Sequence, residues 1–259
     1  INFLNILLIG FTSLQVCALD VIEGQSGEII SIPAPQKLSV DQLTFKTPSG
    51  AKQLVSLPFV KQDLLITRHH IDIKVNCVNF GESRITITDT SKVTLNDSDQ
   101  ARANKEALEI KEALKSSTTE ITPSFNFIPP VPGRVTSPFG KQRFINDMPR
   151  SAHLALDLSG AIGTPIISPL KGKVVLVGDY FYTGLTVILD HGYGLFSSYA
   201  HMSEIQAKFG DLLEQSDPIG KVGSTGRVTG PHLHWTVYFD GNKVNPESLI
   251  QKDYLNSIL

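Results

Sequence analysis

Short runs of alternating apolar and polar residues recur over the first third of the chain and predict a series of β-strands. Proline and glycine residues separate these runs, as at Pro33, Pro58 and Gly81. Short strands at regular spacing are typical of an antiparallel sandwich, so we predict an immunoglobulin-like β-sandwich domain over residues 19–97. The predicted strands cover residues 28–32, 42–46, 64–66, 71–78 and 84–89.

The pattern then changes to a helical period over residues 98–116 and predicts one amphipathic helix. The apolar positions at helical spacing are Ala103, Ala107, Ile110 and Leu114. A polar tract and a group of prolines follow, and they indicate a semi-rigid connector rather than a core element. The prolines are Pro123, Pro129, Pro130 and Pro132. Together these segments predict a helix and linker over residues 98–123.

Alternation returns beyond the linker and predicts a C-terminal domain over residues 124–259 that is mostly antiparallel sheet. The predicted strands cover residues 173–177, 185–189, 196–200, 219–222 and 232–239. Glycines at turn positions such as Gly192 and Gly194 can adopt the positive φ that tight turns need. His191 falls in the same predicted turn, and we expect it to be structural. The predicted fold class is therefore mainly β.

Residues 232–239 form the most informative predicted strand. Its apolar row must face a core, and it consists of Leu233, Trp235, Val237 and Phe239. Side chains alternate along a strand, so His232 and His234 are expected on the opposite face. Two imidazoles placed in this way could share one metal ion.

The same alternation occurs at residues 151–159, where it predicts another strand. Its apolar row consists of Leu154, Leu156 and Leu158, and the opposite face holds His153, Ala155 and Asp157. An imidazole and a carboxylate on one strand face, together with the histidines of the other strand, match the nitrogen and oxygen ligands of catalytic zinc. Three such ligands leave a fourth position open for water.

At this point the sequence resembles the lysostaphin-type zinc metallopeptidases, which cut peptide bonds in peptidoglycan. The resemblance covers roughly residues 130–250 and follows the motif order and spacing of that family. The motifs are Ser137-Pro-Phe-Gly140, His153-x-x-x-Asp157, Gly163-Thr-Pro165, Tyr199-Ala-His201, Gly223-Ser-Thr-Gly226 and Thr229-Gly-Pro-His-Leu-His234.

The resemblance implies a role for five residues. His153, Asp157 and His234 would be the ligands of one Zn²⁺ per chain. His201 and His232 would be catalytic, acting on the substrate and its attacking water without binding the metal. The sequence does not divide the tasks of proton acceptor and oxyanion stabiliser between these two histidines.

Two positions depart from the usual family pattern. Ala155 stands where the family usually has glycine, and Thr236 stands where it usually has an acidic residue. Neither position is a ligand, so the departures concern fine geometry and substrate preference.

The function implied by the resemblance is that of an exported zinc-dependent endopeptidase hydrolysing stem or cross-link peptides in peptidoglycan. The alternative is a non-catalytic wall-binding or hydrolase-activating protein, since some members of the family keep the fold without the metal. A metal-carrying or structural zinc protein is disfavoured, because three ligands beside two further histidines leave the coordination open. The sequence does not determine which peptidoglycan bond is cut, nor does it determine the oligomeric state.

Residues 1–18 predict a signal peptide with a truncated start. An apolar run ends in Val16-Cys17-Ala18, which fits cleavage after Ala18, and the chain opens with Ile rather than Met. A single membrane anchor is the alternative, but the run is short and contains Asn5, Gly10 and Gln15. We therefore expect export to the periplasm or cell wall, or secretion, with no stable membrane span after signal removal.

Composition narrows the range of partners. The chain has 259 residues, of which 41% are hydrophobic, and a formal net charge of -2. This balance argues against binding of nucleic acid through phosphate neutralisation. With Cys17 removed in the signal peptide, Cys77 is the one cysteine left, and its place in the alternation of residues 71–78 predicts a buried structural thiol.

A final hypothesis concerns the N-terminal domain, which has no evident part in the zinc chemistry. An enzyme that cuts the wall of its own cell benefits from a shielded site. Asn146 or Asp147, just before the first ligand, could occupy the open zinc position in a resting state, since an amide or carboxylate oxygen is an acceptable ligand. An ordinary loop lining the substrate groove is the alternative.

Overall fold

The computed structural model describes residues 21–35, 42–88, 95–115 and 117–259, and β-strands dominate it. The predicted signal peptide at residues 1–18 lies outside these described residues. No helix within the described ranges has the length and apolar character that a membrane crossing requires.

Two three-stranded sheets make up the N-terminal part. One contains β1 (Ile22–Gln25), β6 (Ile71–Asn76) and β5 (Leu64–Arg68) in that order, and the other contains β2 (Ile29–Pro33), β4 (Gly50–Ser56) and β3 (Thr44–Thr47) in that order. They enclose a core of Ile32, Val55, Leu57, Ile73 and Val75. Strand β1 runs parallel to β6, whereas the other pairs are antiparallel. An N-terminal β domain is thus present, as predicted.

The prediction for Cys77 is wrong, because this residue is exposed. Strand β6 ends at Asn76, two residues before the predicted end at residue 78, so the alternation that would bury the thiol stops just before Cys77. Beyond the strand, the backbone N–H of Cys77 donates to the Asp63 side chain at Oδ1 (2.9 Å) rather than to a neighbouring strand.

The predicted helix is confirmed as α1 (Asp97–Ala113). Asn96 caps its first turn, accepting a hydrogen bond from the Asp99 backbone N–H at 2.8 Å. Ile110, Ala113 and Leu114 pack against a small cluster of Leu176, Tyr180, Ile188 and Phe196 on the C-terminal sheet. This contact attaches the helix to the outer face of that sheet.

The segment after α1 is part of the core, which corrects the predicted connector. Ile121, Phe125, Phe127 and Val131 are buried, and the last three join the main hydrophobic cluster of the C-terminal part. Buried and exposed residues alternate along residues 121–127. The sequence has the same alternation, but the prolines favoured the interpretation as a connector. The proposed domain boundary at residue 123 stays a prediction.

The C-terminal part is built on a large, mainly antiparallel sheet. Its central path runs in the order β16 (Leu212–Leu213), β13 (Gly172–Tyr180), β14 (Gly184–Gly192), β15 (Leu195–Ile205), β18 (His232–Phe239), β11 (Leu156–Ser159), β8 (Val135–Ser137). Strand β12 (Pro165–Ile167) pairs with β17 (Pro218–Val222), which pairs with β15, and β19 (Asn242–Val244) pairs with β18. Two short helices, α2 (Pro246–Leu249) and α3 (Tyr254–Ile258), end the chain. The predicted antiparallel C-terminal domain is confirmed.

A third small sheet joins the two halves. Strand β7 (Glu82–Ile85) runs parallel to β9 (Gln142–Ile145), and β9 forms a hairpin with β10 (Met148–Pro149). Nearby, the rings of Phe59, Phe80 and Phe139 pack together with centroid separations of 6.0, 6.2 and 5.8 Å. The N-terminal part is therefore held against the segment that leads to His153.

His191 lies at the end of β14 rather than in a turn, and it is completely buried. Its Nδ1–H donates to the Lys171 carbonyl at 2.7 Å, because a carbonyl oxygen can only accept. Its Nε2 then accepts from the Ser197 hydroxyl at 2.7 Å. Burial lowers the pKa of His191 to about 4. The histidine is thus a neutral, fully hydrogen-bonded core residue, in line with the expected structural role.

We expect His191 to make folding stability depend on pH. The folded protein keeps the imidazole neutral down to a pKa of about 4, whereas the unfolded chain takes up a proton near 6.5. The stabilisation is therefore complete above about pH 6.5 and is lost as the pH falls toward 4, by up to roughly 3 kcal/mol. Urea unfolding of the wild type and of His191→Gln at pH 7.5 and 4.5 measures this. The loss on acidification should be smaller in the variant, and equal losses would contradict the assignment.

Candidate metal centre

Strands β11 and β18 pair antiparallel and bring the two halves of the predicted site together. Their register places Asp157 opposite His234 and Leu158 opposite Leu233. The predicted alternation on β18 is confirmed, since Leu233 and Trp235 are fully buried while His234 is not. Asp157 and His234 therefore lie side by side on the face opposite the core.

His153 reaches the site from a loop, which corrects the predicted strand over residues 151–159. Strand β11 begins only at Leu156. The loop is held by two backbone hydrogen bonds, from His153 N to the Lys141 carbonyl at 2.8 Å and from Gly140 N to the His153 carbonyl at 2.7 Å. These bonds place the buried His153 side chain next to Asp157 by tertiary contact rather than by strand alternation.

Three donor atoms from these residues converge. His153 Nε2 lies 3.1 Å from Asp157 Oδ1 and 3.3 Å from His234 Nδ1, and His234 Nδ1 lies 2.7 Å from Asp157 Oδ1. Ligand atoms at zinc bond lengths of about 2.0–2.1 Å around a tetrahedral ion are separated by roughly 3.3 Å. The spacing and the nitrogen and oxygen donors therefore fit a small divalent cation such as zinc.

Contacts of Nδ1, the ring nitrogen that faces away from Asp157, fix the orientation of the His153 ring. Its Nδ1 lies 3.1 Å from the Pro138 carbonyl and 3.2 Å from the Ser137 hydroxyl. The carbonyl can only accept, so Nδ1 carries the proton and Nε2 keeps its lone pair for the centre.

His201 and His232 lie beside this group, with ring centroids 5.0 Å apart. Each ring donates from Nδ1 to a backbone carbonyl at 2.9 Å, His201 to Thr225 and His232 to Gly230. The Nε2 atom of each ring is therefore the nitrogen with an available lone pair. His232 Nε2 lies 3.7 Å from Asp157 Oδ1, so this lone pair is next to the candidate centre.

His201 has a conformation that alternation along its strand does not predict. Its φ is +65°, a left-handed value that is uncommon for residues other than glycine. Its backbone N–H donates to the Thr183 carbonyl at 2.8 Å, which holds the residue in place. Such strain is typical of functional sites, where the surrounding structure maintains it.

Two groups of three side chains within the described residues could each hold a metal ion. One consists of His153, Asp157 and His234, and the other of His201, His232 and His234, with all donor atoms of a group within 4.8 Å of one another. His234 belongs to both. The first group contains a carboxylate, which offsets the charge of a divalent cation. The ligand assignment stays a prediction that mutation can test.

The electrostatics favour metal-binding protonation states. Burial on its own would raise the pKa of Asp157, but the neighbouring ring nitrogens of His153 and His234 outweigh it and lower the pKa, so the carboxylate is ionised. Burial, followed by the charges of His234 and His232, lowers the pKa of His201 to about 3. Burial also lowers the pKa of His234. At neutral pH these imidazoles offer lone pairs rather than positive charge.

The candidate centre opens into a cleft with a volume of about 510 Å³. Ser83, Ile85 and Ile87 line one part of it, so the N-terminal half contributes to the wall of the site. This contribution could not be predicted from sequence, because it depends on the parallel pairing of β7 with β9 across a long chain separation.

The structure does not place Asn146 or Asp147 at the centre. The Asn146 side chain accepts from the Ile87 backbone N–H at 2.8 Å and donates to the Ile87 carbonyl at 3.0 Å. Asp147 is exposed and lies 3.4 Å from an Arg84 nitrogen. Both residues lie in the turn between β9 and β10. In this conformation neither side chain occupies the position of the metal ion.

Comparisons with known proteins agree with the geometry. The sequence profile of Peptidase family M23 matches residues 151–246. Peptidoglycan DD-endopeptidase ShyA of Vibrio cholerae is 37% identical over 113 residues, which are 43% of this chain and 26% of that protein. DD-carboxypeptidase/endopeptidase Mpg of Neisseria meningitidis is 35% identical over 125 residues, 48% of this chain and 29% of that protein. The matched regions are thus about a quarter to a third of these relatives.

One solved structure resembles the chain over most of its length. The crystal structure of a protein assigned to peptidase M23 from Pseudomonas aeruginosa superposes with a TM-score of 0.64 at 28% identity, covering 87% of this chain and 94% of that one. An antiparallel sheet with a carboxylate and clustered imidazoles at a cleft is the kind of site that metal-dependent hydrolases have. Residues 151–246 are thus a peptidase M23 domain of the lysostaphin type.

Proposed function

We propose that this protein is an exported zinc-dependent endopeptidase that hydrolyses peptide bonds in peptidoglycan. The observation that carries the proposal is the convergence of His153 Nε2, Asp157 Oδ1 and His234 Nδ1 at separations of 2.7–3.3 Å on the wall of a cleft. The M23 match and the peptidoglycan-cleaving relatives support the reaction class. Export follows from the location of that substrate outside the cytoplasmic membrane.

In this proposal His153, Asp157 and His234 hold the zinc ion. Zinc, when bound, supplies a Lewis acid that polarises the scissile carbonyl and makes the attacking water more acidic. The carboxylate of Asp157 offsets part of the cation's charge, and the bond from His153 Nδ1 to the Pro138 carbonyl keeps that ligand ring in position.

His201 and His232 provide the proton transfers. Their Nδ1 atoms are occupied by the Thr225 and Gly230 carbonyls, so each ring can exchange a proton with water or substrate only through Nε2. One Nε2 can accept the proton of the attacking water, and a protonated Nε2 can donate to the nitrogen of the leaving amine or to the developing oxyanion. The short distance between the rings allows both groups to act on one peptide bond.

The test uses full-length protein purified from the cell envelope, with metal content and release of amino groups from purified peptidoglycan measured on the same preparation. We expect about one zinc per chain, loss of hydrolysis after chelation, and recovery on addition of zinc. Mass spectrometry of the same sample should show a chain beginning at Leu19. Zinc-loaded, folded protein without turnover would instead support the non-catalytic wall-binding or hydrolase-activating function.

A further inference from the structure

The cleft beside the metal centre is rich in positive charge. Lys141, Arg143 and Arg227 line it together with the candidate ligands. Among the described residues that line the cleft, Asp157 is the one carboxylate. Its Oδ1 lies 3.1 Å from His153 Nε2 and 2.7 Å from His234 Nδ1, within the candidate metal centre.

Arg143 is half-buried but incompletely hydrogen-bonded. It lies on β9, and its Nε donates to the Ser151 carbonyl at 3.4 Å, a long hydrogen bond. Its two terminal nitrogens have no hydrogen bond to any described residue, although the side chain is only partly exposed. A half-buried guanidinium with free N–H groups in a cleft is suited to bind a carboxylate through two parallel hydrogen bonds.

Arg227 is oriented by stacking. Its guanidinium carbon lies 4.2 Å above the centre of the Tyr182 ring, and its backbone N–H donates to the Tyr182 carbonyl at 3.0 Å. Stacking fixes the plane of the guanidinium, so less side-chain entropy is lost when its edge binds a ligand.

The two arginines act on each other electrostatically. Burial lowers the pKa of Arg143, the negative charge of Asp157 opposes this shift, and the smaller effect of the positive charge of Arg227 adds to it. Like charges placed in one cleft are unfavourable unless an anion lies near both of them. An anionic ligand bound in the cleft that both arginines line would reduce this repulsion.

We propose that Arg143 and Arg227 form a carboxylate-binding site that positions a free carboxylate of the peptide substrate next to the metal centre. The proposal rests on the proposed function and specifies its substrate class: peptides that carry an anionic group close to the scissile bond. Arg143 and Arg227 are specificity-determining residues in this scheme, separate from the metal ligands and from the two histidines that transfer protons.

The test compares two soluble cross-linked peptides that differ only in conversion of the free carboxylates to carboxamides, which are nearly equal in size. We expect the wild type to prefer the carboxylate peptide in kcat/KM by roughly tenfold to a hundredfold, the range of a hydrogen bond to a charged group. Arg143→Gln and Arg227→Gln should each lose most of this preference, mainly through a higher KM for the carboxylate peptide and little change for the amide.

Arg134→Gln is the matched control, because Arg134 is exposed and does not line the cleft. It removes one positive charge from the same domain and should retain the wild-type preference. Arg143→Lys keeps the charge without the planar fork, so recovery of part of the preference is expected. Zinc content and thermal unfolding of every variant establish that the proteins are folded and loaded.

Binding of the two peptides to the wild type and variants, measured by calorimetry, tests the site without turnover. A wild type that cleaves or binds both peptides equally well overturns the carboxylate site and leaves the proposed endopeptidase function intact. If neither peptide is cleaved, the endopeptidase function fails for this substrate class. Preferential binding of the carboxylate peptide, lost in both Gln variants, would even then support the site.

Discussion

Replacing Asp157 with Ala is expected to remove zinc and abolish hydrolysis of peptidoglycan. The change deletes the one carboxylate of the candidate centre and leaves the His153 and His234 nitrogens, 3.3 Å apart, without their shared partner. Loss of a residue that only orients a ligand weakens metal binding by about 10- to 100-fold, so loss of the ligand itself should exceed that range. Zinc content after dialysis and turnover on purified peptidoglycan measure the two effects.

Asp179→Ala is a suitable control, because Asp179 is an exposed aspartate on β13 of the same sheet. It should keep both zinc and activity. His153→Ala should behave like Asp157→Ala. If Asp157→Ala instead retains one zinc per chain after dialysis, the ligands are not those of the first group, and His201, His232 and His234 become the alternative.

The second large effect is expected for His201→Ala and His232→Ala. Each variant should bind zinc nearly as well as the wild type but lose on the order of 10² or more in turnover, the usual contribution of a positioned acid or base. The physical reason is that each ring points its one available nitrogen, Nε2, into the site while Nδ1 is bonded to a backbone carbonyl.

His70→Ala serves as the matched control, since His70 is exposed in the turn between β5 and β6, outside both candidate metal groups. It should leave zinc content and turnover unchanged. Thermal unfolding is needed for His201→Ala in particular, because that residue is buried with a positive φ. Loss of zinc from a folded His201 or His232 variant would assign that residue to the metal rather than to proton transfer.

The alternation of apolar and polar residues predicted strands correctly where one face of the strand packs on a core. The alternation over residues 232–239 predicted β18 with its bounds, and the same alternation placed Asp157 on the face that meets His234. Helical spacing predicted α1 for the same reason, since a periodic apolar face must pack on something. The motifs in the sequence were sufficient to identify the family now matched over residues 151–246.

Prediction failed where burial depended on distant contacts. Phe125 and Phe127 join the core although prolines flank them in sequence, and Cys77 is exposed because strand β6 ends at Asn76, one residue before it. The arginines of the cleft were missed as well. Arg143 and Arg227 are far apart in the chain, and no local period links them to the ligands.

The sequence by itself determined the elements, the apolar faces and the types of side chain available for a metal and for proton transfer, because these follow from short-range periodicity and residue chemistry. Only the tertiary structure decided where those side chains meet. Backbone bonds to Lys141 bring His153 in from a loop, strained backbone at position 201 turns that histidine toward His232, and pairing of β7 with β9 adds an N-terminal wall to the cleft. Each of these depends on contacts between segments that are remote in sequence, which no local pattern encodes.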